Sequence, residues 1–134
     1  MLALEYLGYI NAEDFVYRQA GGAPIELVWL SDKPQPTTAE IAAAELPAKR
    51  ASMQCTPIQG ELAMIRYGEQ ISVDLIGAYD AYRASPERTR EEKAWIERTQ
   101  IWKRLDPNVL TGAAAVGITD DALLDQLFEL AKTL

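Results

Sequence analysis

The chain has no histidine. That excludes Ser-His-Asp and Cys-His nucleophilic catalysis, imidazole proton shuttles and His-ligated zinc. A single cysteine, Cys55, excludes an internal disulfide and thiolate zinc sites, and it fits a reducing compartment. Beside an apolar run, such a cysteine reads as an inert small hydrophobe. No stretch approaches the ~20 apolar residues of a membrane span. The segment Met1 to Ile10 is apolar but carries no basic n-region and no cleavage site, so a signal peptide is not expected. Positive charge is in deficit: the formal net charge is −7, which keeps the chain soluble and disfavours a phosphate backbone or an anionic membrane as partner. Nor is there a GxGxxG, a P-loop, an EF-hand spacing or a tandem repeat.

What is present is ordinary globular material. At 134 residues and 49% apolar composition, the chain forms one compact domain or a body with a small appendage. A chain of this size buries roughly two-thirds of its unfolded surface, enough for a core without staples. The Pro-rich break Ser31-Asp32-Lys33-Pro34-Gln35-Pro36 divides two kinds of periodicity. Before it, apolar residues alternate as in strands; after it, they recur at helical spacing. The expected fold is therefore α+β and mainly α, an N-terminal β-hairpin followed by a bundle of about five helices. The expected organisation is a hairpin module over 1–36, a connecting helix and linker over 37–54, and a helical domain over 55–134.

In the first part, residues 1–10 fit a short helix or a strand equally well. Asp14 to Gln19 sets Phe15 and Tyr17 against Val16 and Arg18. Ala20-Gly21-Gly22-Ala23-Pro24 is turn chemistry, and Ile25 to Leu30 alternates again, so the two runs pair as a hairpin. A lone hairpin is marginal, so this one must pack on a helix or pair with another chain. Trp29 has two readings: a plug that seats the hairpin on the neighbouring helix, or an interface anchor, since tryptophan is enriched in binding hot spots. Phe15, Tyr17, Trp29 and Leu30 are the candidate partner-binding residues.

In the second part, Thr37 and Glu40 form a capping box that opens a helix running to about Leu46, where Pro47 intervenes; Ala48 to Gln54 reads as linker. Thr56-Pro57-Ile58-Gln59 starts the next helix, which carries Ile58, Leu62 and Ile65 on one face and stops near Gly68. Ser72 caps another, with Leu75, Ile76, Tyr79 and Tyr82 inward. Ser85-Pro86-Glu87 opens a long charged helix reaching to Asp106-Pro107 and placing Trp95 and Trp102 on one side. Asp106-Pro107 caps a short helix closed by Gly117, and Thr119 caps the last, with Leu123, Leu124, Leu127, Phe128, Ala131 and Leu134 on its apolar side.

The segment Arg83 to Arg104 holds seven Lys/Arg against four Glu and interleaves two tryptophans, a superficial likeness to a nucleic-acid face. Glu91, Glu92 and Glu97 lie at pairing distance from the cations, so a solvated, ion-paired helix accounts for the same pattern, and core packing accounts for the tryptophans. The adjacent acids Glu13-Asp14, Glu91-Glu92 and Asp120-Asp121 point apart and make poor metal or acid–base pairs. No catalytic, cofactor or metal residue is assigned.

Two segments carry a resemblance. Glu13-Asp14-Phe15-Val16-Tyr17-Arg18, then Ile25-Glu26-Leu27-Val28-Trp29, then Pro34-Gln35-Pro36-Thr37-Thr38-Ala39-Glu40 resemble XkdW-like phage proteins, with their Asp-Phe-x-x-Arg strand, second strand ending in Trp, and Pro-x-Pro-Thr lead-in to a helix. Tail fibre assembly proteins show the same Trp-then-Pro-then-Ala-Glu order. From Thr56-Pro57-Ile58-Gln59-Gly60-Glu61-Leu62 through Trp102-Lys103-Arg104-Leu105-Asp106-Pro107 to Gly117-Ile118-Thr119-Asp120-Asp121, the chain is similar to small helical proteins encoded beside tail fibres. Ile58 and Glu61 stand where that pattern has arginines. The resemblance implies a non-enzymatic phage tail protein that binds the tail fibre or baseplate and assists fibre assembly or attachment, in the host cytoplasm or on the virion tail. The alternatives are a permanent structural subunit of the baseplate or fibre and, third, a carboxylate-dependent hydrolase. The implied partners are a fibre or baseplate protein and, through self-association, a second copy of the chain, with no cofactor, nucleic acid or membrane.

Overall fold

The computed structural model describes residues 3–134 and is α+β, mainly α; Met1 and Leu2, part of the segment with two readings, lie outside the described residues. Seven helices occur among those residues, more than the five or so expected, together with two small two-stranded sheets. The chain separates into two compact units, one closing at Ala51 and the other spanning Ser52–Leu134.

The first unit begins with α1 (Ala3–Tyr6), so the segment of open character is helical there. Strands β1 (Phe15–Arg18) and β2 (Glu26–Trp29) pair antiparallel, with Phe15 opposite Trp29 and Arg18 opposite Glu26. Leu4 and Phe15 are fully buried. Helix α2 (Thr38–Ser52) opens as expected: Glu40 N–H donates to Thr37 Oγ1 and Thr37 N–H to Glu40 Oε2. It does not stop at Leu46, however, and most of the expected linker is helix. Pro47 removes one backbone donor, a cost of about 3 kcal/mol in a helix interior. The alanines around it are the best helix formers, and Ala44 and Ala48, one turn apart, are both buried. Tertiary burial offsets the proline.

In the second unit, β3 (Gln54–Cys55) leads into α3 (Pro57–Ile71), whose capping box joins Thr56 and Gln59 in both directions. The helix runs past Gly68. A Cβ on Gly68 would lie 2.4 Å from the Val73 carbonyl oxygen, because the chain folds back over it after Ser72, which sits in the left-handed region at φ 57°. Gly68 therefore permits a close turn rather than ending the helix. Ser72 closes α3, and Asp74, not Ser72, caps α4 (Leu75–Ala84), accepting from Gly77 N–H.

The expected long charged helix is the largest departure. Helix α5 covers only Arg90–Arg98, with Thr89 and Glu92 forming its capping box. Trp102 lies beyond it in β4 (Trp102–Lys103), opposite Cys55 on β3, and Arg104 N–H donates to Met53 C=O. Trp95 and Trp102 do not share a helix; each packs half-buried against the core. Helices α6 (Pro107–Ala115) and α7 (Asp121–Ala131) complete the unit. Asp106 caps the first as expected, whereas Asp120, one residue after Thr119, caps the second. Met64, Leu75, Tyr79, Val109, Leu124 and Phe128 are at the centre of the core these helices enclose.

Candidate functional site

The hairpin leaves one edge of its backbone bonding capacity unused. Leu30 N–H donates to Asp14 C=O at 2.9 Å, which fixes Phe15–Trp29 as a non-hydrogen-bonded pair. Ladder bonds are then exchanged at Val16–Val28 and Arg18–Glu26, and the N–H and C=O groups of Leu27 and Trp29 point away from β1. The sheet has only these two strands, so no strand among the described residues lies along that edge of β2. The opposite edge differs: the Phe15 carbonyl, directed outward from β1, accepts from Ala12 N–H at 2.8 Å.

The four candidate residues fall into different environments. Phe15 is fully buried, with Tyr17 edge-on to its ring at 5.7 Å, so it supports the hairpin from within and offers no surface to a partner. Tyr17 and Leu30 are exposed, and Ile25 more so at 65%. Ile25 was visible in the alternation, but nothing in the spacing marked it as outward. Trp29 is half-buried; its indole N–H donates to Lys33 C=O at 3.0 Å, and Tyr9 meets its ring edge-on at 5.0 Å.

The Pro-rich break is fastened to this hairpin. Asp14, buried at the start of β1, accepts from Ile10 N–H at 2.8 Å and from Lys33 Nζ at 2.7 Å. The Lys33 ammonium bond first, then the backbone and Ser31 bonds, hold its carboxyl down at about 2. Tyr9 Oη donates to Pro34 C=O at 3.2 Å. In the sequence Asp14 opens the expected strand and stands in the Asp-Phe-x-x-Arg motif, but nothing local marks it as the partner of Lys33, nineteen residues on.

The helical unit engages its charges internally. Arg83 pairs with Glu61 at 3.2 Å, and the Arg88 guanidinium lies 4.1 Å from the Tyr82 ring centre. Arg104 is 1% exposed, its Nε at 2.7 Å from Asp125 and its Nη2 at 2.8 Å from Asp121. Burial pushes the Cys55 thiol up to about 11, which removes it as a nucleophile at neutral pH. Among the described residues, no group of three or more His, Cys, Asp or Glu is placed to hold a metal ion, and no helix is long and apolar enough to cross a membrane. No protein-family model matches the chain, and neither a curated protein nor a solved structure matches it.

Proposed function

We propose that this chain is a non-enzymatic phage tail protein that docks through its hairpin on the tail fibre or baseplate and assists fibre assembly or attachment. The observation that carries this reading is the open outer edge of β2, with exposed Ile25 and Leu30 at the two ends of that strand and exposed Tyr17 on its neighbour β1. An unpaired strand edge with alternating apolar side chains accepts an extended segment from another protein: main-chain bonds supply affinity and side-chain contacts supply specificity. The phage assignment rests on the motif resemblance described above.

The test is co-expression with the tail fibre protein encoded beside it, followed by sizing of the complex and titration of the purified partners. Leu30→Asp is the informative variant, because Leu30 is exposed and its replacement is expected to leave the fold intact. Trp29→Ala would also free the Lys33 carbonyl and confuse binding with stability. A central anchor is worth about 2 kcal/mol, so Leu30→Asp is expected to weaken the complex about thirtyfold with an unchanged melting temperature. A complex indifferent to Leu30→Asp and Ile25→Asp removes the hairpin from the interface. Copy number in purified particles separates an assembly factor from a permanent virion subunit.

A further inference from the structure

Helix α3 turns three branched aliphatic side chains to solvent: Ile58 is 71% exposed, Leu62 37% and Ile65 38%. Their spacing, four residues and then three, sets them in one stripe. The buried positions of the same helix, Gly60, Ala63, Met64 and Gly68, lie about 150° away around its axis, so the core of the unit is behind the stripe. In heptad terms Ile58 and Ile65 are d positions and Leu62 is the a position between them. The flanks carry opposite charge. Glu61 stands at g and Arg66 at the following e. Glu61 meets Arg83 at 3.2 Å through Oε1, which leaves Oε2 for a second donor. Arg66 is exposed and has no ion pair among the described residues.

We propose that α3 is the seam of a weak homodimer in which two copies of this helix lie parallel and in register. Ile58, Leu62 and Ile65 of one copy then meet the same residues of the other, and Glu61 of each copy faces Arg66 of the second on both flanks. Charge selects this arrangement. An antiparallel pair would set Glu61 beside Glu61 and Arg66 beside Arg66. Charge also selects the occupant: an apolar row bordered by one charge of each sign is complementary to itself across a two-fold axis. Glu69, at the next a position, would meet its own counterpart, which ends the contact after about two turns. Three apolar positions per copy fall well short of the ~1,200 Å² that a stable complex buries, so the expected Kd is about 0.1 mM.

Sedimentation equilibrium of the full chain, from about 10 µM to about 1 mM, tests the seam. The expected result is a concentration-dependent dimer that Leu62→Asp weakens at least tenfold with an unchanged melting temperature; Ile58→Asp serves if that variant does not fold. Leu30→Asp, in the hairpin, is expected to dimerise as the parent does. Air oxidation of Ile58→Cys reads the orientation. Ile58 meets itself in the parallel pair, whereas antiparallel packing of Leu62 on Ile65 would hold the two Ile58 positions about 16 Å apart, beyond disulfide reach. Cross-linking is expected to be much faster than in Ile25→Cys, a similarly exposed hairpin position that reports random collision; the native Cys55 is buried. A parent monomeric throughout the range overturns the proposal. So does a dimer that survives both Leu62→Asp and Ile58→Asp or is lost in Leu30→Asp, and so does Ile58→Cys cross-linking no faster than Ile25→Cys.

Discussion

Arg104→Met is the sharpest test of how the helical unit is held together. The guanidinium is the largest fully buried side chain among the described residues, and it ties the β4 segment to α7 through Asp125 Oδ1 at 2.7 Å and Asp121 Oδ1 at 2.8 Å. The two bonds are not equal. The Asp121 side chain is 67% exposed, so water replaces most of what it loses, and its share is under about 1 kcal/mol. The Asp125 side chain is 17% exposed, and removing a buried partner from such a carboxylate costs about 3–5 kcal/mol. Methionine keeps much of the aliphatic stem packing, which places the expected loss near the low end, about 3 kcal/mol. For a unit of this size that lowers the melting midpoint by roughly 12–24 °C. Denaturant titration of single and double variants is the assay. Asp121→Asn is expected to cost under about 1 kcal/mol. Adding Asp125→Leu to Arg104→Met is expected to recover most of the loss, because apolar replacement of a buried ion pair is often neutral or better. An Arg104→Met protein within about 1 kcal/mol of the parent, or a cost that persists unchanged without Asp125, refutes the reasoning.

Two further outcomes follow from named contacts. Gly60→Ala drives a methyl into the Trp102 ring and is expected to cost about 1–3 kcal/mol, with a change in tryptophan fluorescence as the indole moves; an unchanged midpoint and spectrum would mean the ring has free room. The Asp14 carboxyl, at about 2 instead of 3.8, has a depressed folded value, so the stability it adds is complete above the ordinary value and drains as pH falls through about 4 to 2. The Trp29 indole N–H resonance, followed from about pH 5 to about pH 2, is expected to report loosening of the Lys33 contact in the parent and little pH dependence in Asp14→Asn.

Local signals were legible where one residue decides the outcome. The boxes at Thr37–Glu40 and Thr56–Gln59 and the cap at Asp106 all stand as the sequence implies, because each is a short-range hydrogen bond. The hairpin pairing was legible from two alternating runs and a glycine turn. Two caps shift by one or two residues, from Ser72 to Asp74 and from Thr119 to Asp120; the larger departures fall where a distant partner overrides local preference. Pro47 reads as a stop until the burial of Ala44 and Ala48 is known. Thr99 to Arg104 continues a charged helical pattern, yet pairing of Trp102–Lys103 with Gln54–Cys55, and the Arg104 N–H bond to Met53 C=O, draw the chain out of the helix. For the candidate site, Tyr17, Trp29 and Leu30 were identifiable as apolar strand residues. Their sorting by exposure, and the loss of Phe15 to the interior, depend on register and on what covers each face.

Helix α3 shows most clearly what periodicity does and does not determine. Ile58, Leu62 and Ile65 do share a side, as their spacing requires, but that side faces out: Ile58 is 71% exposed, and the buried positions are Gly60, Ala63, Met64 and Gly68. The apolar stripe and the core stripe are different stripes of one helix. The reason is distance. Helix α3 packs on both α7 and α4, and the Trp102 ring must also lie across it at Gly60. Helices approach closely only where the contacting side chains are small. Branched residues at 60 and 68 would drive a side chain into the Trp102 ring and the Val73 carbonyl. A sequence pattern states which residues point the same way; the size of what they must meet decides which way is inward.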